Sequence, residues 1–114
     1  MTGSLRDKKQ EIFKVLFLNR ANRIVDEADL FHGTMDGAVI HAREVVKSAL
    51  ERHASSVILV HNHPSGKIEP SPEDREMTRK LNTALNTVSI KVLDHIIVGD
   101  NQYFSFSERG LLAN

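Results

Sequence analysis

The sequence predicts a single-domain α/β sandwich in which a mixed β-sheet is flanked by helices. Segments rich in β-forming residues alternate with segments of helical periodicity along the chain. The length of 114 residues suits one domain, and no linker, repeat or low-complexity tract divides it. Hydrophobic residues make up 40% and charged residues 26% of the chain, which is ordinary globular composition and argues against disorder.

The first half of the chain predicts a β-hairpin followed by a helix. Residues 11–18, EIFKVLFL, place apolar side chains on both faces, as expected of an interior strand. The polar segment 19–22 separates this strand from a second arm at 23–31, and a turn-rich connection follows at 32–37. From about Ala42 to near Ala54, apolar positions recur at helical spacing: Val45, Val46, Ala49, Leu50 and His53.

The second half predicts a strand, a helix and a closing hairpin. VILVHNH at 57–63 indicates a buried strand that Pro64 and Gly66 terminate. A helix begins at Ser71 and Pro72, with an apolar series at Met77, Leu81, Ala84, Leu85 and Val88. Residues 90–98 indicate another strand. The GDNQ sequence that follows indicates a tight turn, and residues 103–107 are expected to pair with this strand as the second arm of a hairpin.

Charge and cysteine content exclude several classes of protein. Fifteen Lys and Arg balance fifteen Asp and Glu, so the basic surface of a dedicated nucleic-acid binder is absent and we expect no direct nucleic-acid binding. The chain has no cysteine, which excludes disulfides and thiolate metal sites and points to a reducing compartment. The apolar stretch 57–60 is too short for a membrane span, and the first ten residues lack a signal-peptide centre. We therefore expect a cytoplasmic protein.

A candidate metal site lies where the buried strand ends. His61 and His63 are two residues apart, so both imidazoles leave the same face of a strand. The turn after them brings the start of the next helix, with Ser71 and Asp74, back beside the strand end. Two histidines and one carboxylate form an open zinc site, whose remaining position holds a water with a pKa of about 7.

Simpler explanations exist for each part of this site. An H-x-H sequence alone is often only a polar strand end, and S-P-E-D is also a helix N-terminus that Ser71 caps with Asp74 at the third position. The capping and metal-binding interpretations can both hold.

Other polar residues are weaker candidates. Glu11 lies beside the apolar face of the first strand, where desolvation would make it a base, but a solvated carboxylate at a frayed strand end is the alternative. Glu44 is the rival base, on a charged helix face. Asp94 and His95 either orient a metal ligand or pair within the core or an interface. The remaining histidines lack metal spacing and are expected to be ordinary: His32, His41 and His53.

The string HNHPSGKIEPSPED has the form H-x-H, seven residues, Ser, two residues, Asp. It is similar to the JAMM motif of MPN-domain metallopeptidases, and more closely to their bacterial RadC-like branch. Five further segments of the chain also resemble this branch: VLFLNRANR at 15–23, HGTMDG at 32–37, AREVVKSAL at 42–50, VILVHNHPSG at 57–66 and LDHIIVG at 93–99. We therefore expect an N-terminal tail at 1–7 and a RadC-like JAB/MPN domain at 8–114. Ala42 departs from the branch, which usually has proline there.

The resemblance implies a fold like that of cytidine deaminases and a zinc ion held by His61, His63, Asp74 and a water. The family's glutamate, which holds the nucleophilic water, matches Glu11, and the serine that stabilises the oxyanion matches Ser71. The implied activity is that of a zinc metallopeptidase-like hydrolase that cleaves a peptide or isopeptide bond in a peptide or protein substrate. The alternative is a DNA repair or recombination accessory module without direct catalysis.

Two further expectations follow from the resemblance. RadC-like proteins commonly carry a helical N-terminal domain that these 114 residues do not contain, so we expect a C-terminal fragment or a short paralogue. A nucleobase deaminase would need an H-x-E signature with a downstream P-C-x-x-C, and this chain has no cysteine and has His63 at the third position. A scaffold that has lost its chemistry is disfavoured because all five motif residues are present.

Overall fold

The computed structural model describes residues 11–32 and 40–112, and this part of the chain forms a five-stranded mixed sheet with two helices. In chain order the elements are β1 (Ile12–Leu18), β2 (Ile24–His32), α1 (Ala42–Glu51), β3 (Ser56–Asn62), α2 (Pro72–Thr87), β4 (Lys91–Val98) and β5 (Tyr103–Ser105). The predicted α/β class is thus confirmed. The predicted tail at 1–7 and residues 33–37 of the predicted connection lie outside the described residues.

The order of the strands, β2-β1-β3-β4-β5, brings three chain segments to one edge of the sheet. β1 pairs antiparallel with both β2 and β3, so it is an interior strand, as predicted. β3 and β4 are parallel, which their connection through α2 permits. The carboxyl ends of β3 and β4 therefore lie at the same edge as the amino end of β1.

One face of the sheet forms the core with both helices. The inward side chains of β1 at this face are Phe13, Val15 and Phe17, and all three are buried. The helices complete the core with Val45, Ala49, Leu81 and Leu85. Burying a Leu or Val side chain stabilises a fold by about 1.5–3 kcal/mol, so the contacts of Leu81 and Leu85 fix α2 against the sheet.

The first helix is shorter than the apolar spacing predicts. α1 ends at Glu51, because His53 takes a left-handed backbone conformation with φ of 54° and its N–H bonds to the carbonyl of Leu50. The placement of His53 in the helical series is therefore wrong, and Leu50 is half exposed rather than buried. Neither helix in the described ranges is long and apolar enough to cross a membrane.

Candidate metal centre

Four side chains meet at the sheet edge where β3 ends. Glu11, His61, His63 and Asp74 each offer one ligand atom, and these atoms lie within 4.8 Å of one another. Glu11 precedes β1, His61 is the second-last residue of β3 and His63 follows that strand, and Asp74 lies in the first turn of α2. The site is thus built from three segments that are distant in the sequence.

The pairing of β1 with β3 places Glu11 in this group. Phe13 stands opposite His61 in the antiparallel register, and their rings stack with centroids 5.9 Å apart. Glu11 is two residues before Phe13 and shares its face of the strand. Its Oε2 lies 3.6 Å from Nε2 of His61. Asn62 secures this strand end, because its Oδ1 accepts a 2.7 Å hydrogen bond from the N–H of Ile12.

A capping box fixes Asp74 at the start of α2. The Ser71 hydroxyl accepts a hydrogen bond of 3.0 Å from the N–H of Asp74. In return, Oδ2 of Asp74 accepts a hydrogen bond of 2.9 Å from the N–H of Ser71. This reciprocal pair satisfies two N–H groups that a helix start leaves without intrahelical partners. The predicted capping role of Ser71 is confirmed, and the carboxylate is held at a defined position.

A tight turn orients His63. Gly66 has φ of 86°, a left-handed conformation that glycine adopts without strain, and its N–H bonds to the carbonyl of His63. The chain then places the carbonyl of Lys67 3.0 Å from Nδ1 of His63. A carbonyl oxygen only accepts hydrogen bonds, so Nδ1 is the donor and Nε2 is directed at Asp74 and His61.

The spacing of the ligand atoms suits a single metal ion. Two ligands bound to zinc at about 2.0–2.1 Å in tetrahedral geometry lie roughly 3.3 Å from each other. Here Nε2 of His63 lies 3.0 Å from both Nε2 of His61 and Oδ2 of Asp74, and Nε2 of His61 lies 3.6 Å from Oδ1 of Asp74. Imidazole and carboxylate ligands in this number are typical of first-row transition metals. The residues present therefore fit a bound cation.

A second layer of buried groups stands behind His61. His95 on β4 places its Nε2 2.7 Å from Nδ1 of His61, and Thr78 on α2 places its hydroxyl 2.5 Å from Nδ1 of His95. Both imidazoles are completely buried. His95 is also stacked on Phe106, with the ring planes 10° from parallel.

The environment of each group shifts its protonation. Burial lowers the pKa of His61 to about 4 and also places the pKa of His95 well below its usual value. Burial opposes ionisation of Asp74, but hydrogen bonds from His63 and the Ser71 N–H hold its pKa well below the usual range. The bond to Asp74 raises the pKa of His63. Burial, followed by the Asp74 charge, raises the pKa of Glu11.

Comparison with known proteins identifies the family. The model of the family described as RadC-like JAB domain matches residues 1–111. The chain belongs to this family. A UPF0758 protein of Vibrio vulnificus is 51% identical over 110 residues, covering 96% of this chain and 49% of that protein. A UPF0758 protein of Cellvibrio japonicus is 50% identical over 112 residues, covering 98% of this chain and 50% of the relative. The chain thus spans about half the length of the curated relatives it matches.

The structure of this JAB domain shows where the weaker candidates for site residues lie. Glu44 lies exposed on α1, outside the group of four, where its carboxylate is 4.0 Å from the guanidinium of Arg43. His41 and His53 are exposed, as expected of ordinary histidines. Asp94 does not face the site, since its carboxylate accepts hydrogen bonds from the Ser105 hydroxyl and from the backbone after β5.

The sequence analysis did not identify two residues of the JAB domain that support the site through neighbouring contacts. Thr78 follows Asp74 by four positions, so it shares the buried face of α2, and this spacing is the signal that could have found it. Asn62 lies between the two histidines, and its bond to Ile12 depends on strand pairing that the local sequence does not contain.

Proposed function

We propose that this JAB domain is a zinc-dependent hydrolase of amide bonds in peptide or isopeptide substrates. The observation that carries the proposal is the convergence of ligand atoms from His61, His63, Asp74 and Glu11, which all lie within 4.8 Å of one another. The first three would hold the zinc ion, which matches the open three-ligand arrangement of catalytic zinc sites. Membership of the RadC-like JAB family supports the same assignment.

Zinc, when bound, polarises a carbonyl and lowers the pKa of a coordinated water to about 7. Glu11 is the proposed proton carrier. Its carboxylate is 38% exposed, so substrate and solvent reach it, and its raised pKa brings it nearer to the operating range of a general base. After accepting a proton from the attacking water, it returns that proton to the leaving nitrogen.

Ser71 and Asp74 have separate proposed tasks. Asp74 stays ionised because its pKa is lowered, so it acts as a charged ligand and not as a base. The Ser71 oxygen accepts the N–H of Asp74, which leaves its single hydroxyl proton available for the oxygen of the scissile carbonyl. Such a preformed donor stabilises charge that develops in the transition state.

Zinc binding provides the first test. The untagged chain, stripped of metal, is titrated with zinc and the stoichiometry is measured by calorimetry and elemental analysis. We expect one ion per chain, loss of binding in His63→Ala, and no change in His53→Ala, an exposed histidine outside the site. Equal zinc uptake by wild type and His63→Ala would refute the site.

Hydrolysis is tested separately. The zinc-loaded chain is incubated with a proteome-derived peptide mixture and with isopeptide-linked peptides, and new amino and carboxyl ends are detected by mass spectrometry. Cleavage is expected with wild type and absent with His63→Ala. Stoichiometric zinc binding without any cleavage would retain the metal site and refute the proposed activity on these substrates.

A further inference from the structure

A line of buried hydrogen bonds runs from α2 through β4 to His61. The Thr78 hydroxyl lies 2.8 Å from the carbonyl oxygen of Asp74 and also contacts Nδ1 of His95. His95 Nε2 in turn contacts Nδ1 of His61. Each contact needs one proton, so the proton positions along the line depend on one another.

The Thr78 hydroxyl determines which atoms donate and which accept along this line of hydrogen bonds. A carbonyl oxygen only accepts, so the single proton of the Thr78 hydroxyl is committed to the carbonyl of Asp74. The hydroxyl can then only accept from His95, which must carry its proton on Nδ1. If the hydroxyl proton pointed at His95 instead, two oxygen lone pairs would face each other at 2.8 Å.

The same logic continues to His61. A neutral His95 with its proton on Nδ1 has a bare Nε2, which accepts the 2.7 Å hydrogen bond from Nδ1 of His61. His61 then has no proton on Nε2, the atom that faces His63, Asp74 and Glu11. A 180° flip of either ring would put carbon atoms in place of the nitrogens at these contacts and would lose the hydrogen bonds.

We infer that Thr78 and His95 are positioning residues that hold His61 in the tautomer with its proton on Nδ1, so that Nε2 is ready to bind a metal ion. The inference rests on the proposed zinc site. Outer partners of this kind usually are carboxylates, carbonyls or waters, and their loss weakens metal binding about 10–100-fold. Here an imidazole takes that place, and Thr78 determines which of its nitrogens carries the proton.

Thr78→Val provides the decisive change, because valine has nearly the same shape and no hydroxyl. His95 then lacks an acceptor for its Nδ1 proton and is expected to shift that proton to Nε2, which drives the His61 proton onto Nε2. Thr78→Ser keeps the hydroxyl and should restore the wild-type behaviour. Thr87→Val is the matched control, since the Thr87 hydroxyl donates to the carbonyl four residues earlier in the same helix without touching a histidine.

Two measurements are made on the full chain. Long-range ¹H–¹⁵N spectra of the metal-free protein report which ring nitrogen of each histidine is protonated. Competition with a zinc chelator gives the zinc Kd. We expect Nδ1 protonation of His61 and His95 in wild type, a change of both in Thr78→Val, and a zinc Kd raised about 10–100-fold in that variant alone.

The results separate this inference from the proposed function. Zinc binding by wild type that Thr78→Val does not weaken overturns the inference and leaves the zinc site intact. A wild type that takes up no zinc overturns the proposed function, and the ring spectra still decide the tautomers. If Thr78→Val does not fold, wild type and Thr78→Ser carry the test. A proton on Nε2 of His61 in the metal-free wild type overturns the inference.

Discussion

Replacing Glu11 with glutamine separates metal binding from proton transfer. Glutamine keeps the size and hydrogen-bonding capacity of the side chain but cannot take up a proton. The three proposed ligands stay in place, because Asp74 is fixed by its capping box and the histidines by contacts with Lys67 and His95. We therefore expect Glu11→Gln to bind one zinc ion per chain, as the wild type does.

The sizes of the expected effects differ sharply between activity and stability. A general acid and base contributes about 10²–10⁴-fold to a rate, which corresponds to roughly 2.7–5.4 kcal/mol in the activation barrier. The metal-free fold should not lose stability, because burial and the charge of Asp74 both disfavour the ionised Glu11, as its raised pKa indicates. Removing that charge relieves an unfavourable interaction.

The assay compares kcat/KM for any peptide that the wild type cleaves, together with zinc stoichiometry and the melting temperature of the metal-free protein. Glu44→Gln is the control, since it makes the same chemical change at an exposed helix position. Full activity in Glu11→Gln would refute the assignment of Glu11 as the base. Loss of zinc from Glu11→Gln would show instead that Glu11 is a ligand.

Three further predictions follow from the site. The hydrogen bond to Asp74 raises the pKa of His63 above 6.5, so this pair stabilises the metal-free protein below pH 6.5 and stabilises it less as the pH rises through the raised pKa. Zinc affinity, measured by calorimetry from pH 5 to 8, should change in the opposite direction. It should increase over the same pH range, because the proton that competes with zinc leaves His63. Ser71→Asp keeps the helix cap and the melting temperature but removes the proposed oxyanion donor, so kcat should fall about 10²–10³-fold; an equal loss of stability and activity would make Ser71 purely structural. Asn62→Ala leaves the N–H of Ile12 without this acceptor and should lower the free energy of unfolding in urea by about 1–3 kcal/mol.

Local sequence patterns predicted much of the fold and grouped His61 and His63 with Asp74, whereas Glu11 was matched to the site through the resemblance to the RadC-like branch. Alternation in the strands placed His61 and His63 on one face, and the S-x-x-D spacing gave both a cap and a carboxylate at the start of α2. The contact between His95 and His61 depends on the parallel pairing of β3 with β4, which no local pattern encodes. The end of α1 was missed because His53 fits the helical spacing but adopts a left-handed conformation.

The carboxylate of Asp74 caps α2 and is also one of the proposed metal ligands, so it connects the folding of this helix to the proposed site. Its Oδ2 lies 2.9 Å from the N–H of Ser71 and 3.0 Å from Nε2 of His63. Asp74→Asn keeps an oxygen for the capping hydrogen bond but removes the charge. At a pH above the raised pKa of His63, where that imidazole is neutral and the ion pair is absent, the cost to the metal-free helix should be only the charge near the helix N-terminus, about 0.3–1 kcal/mol.

Glu73→Gln isolates that cost, since it removes an exposed charge from the same first turn. At that pH the two variants should match in urea unfolding without metal but differ in zinc Kd, with Asp74→Asn weaker by more than the roughly 10–100-fold effect of losing an outer partner. If zinc affinity is equal in both, Asp74 serves only the helix and the two histidines need another anionic ligand. If Asp74→Asn is much less stable than Glu73→Gln without metal at this pH, the ionised carboxylate stabilises the fold by more than its charge near the helix N-terminus.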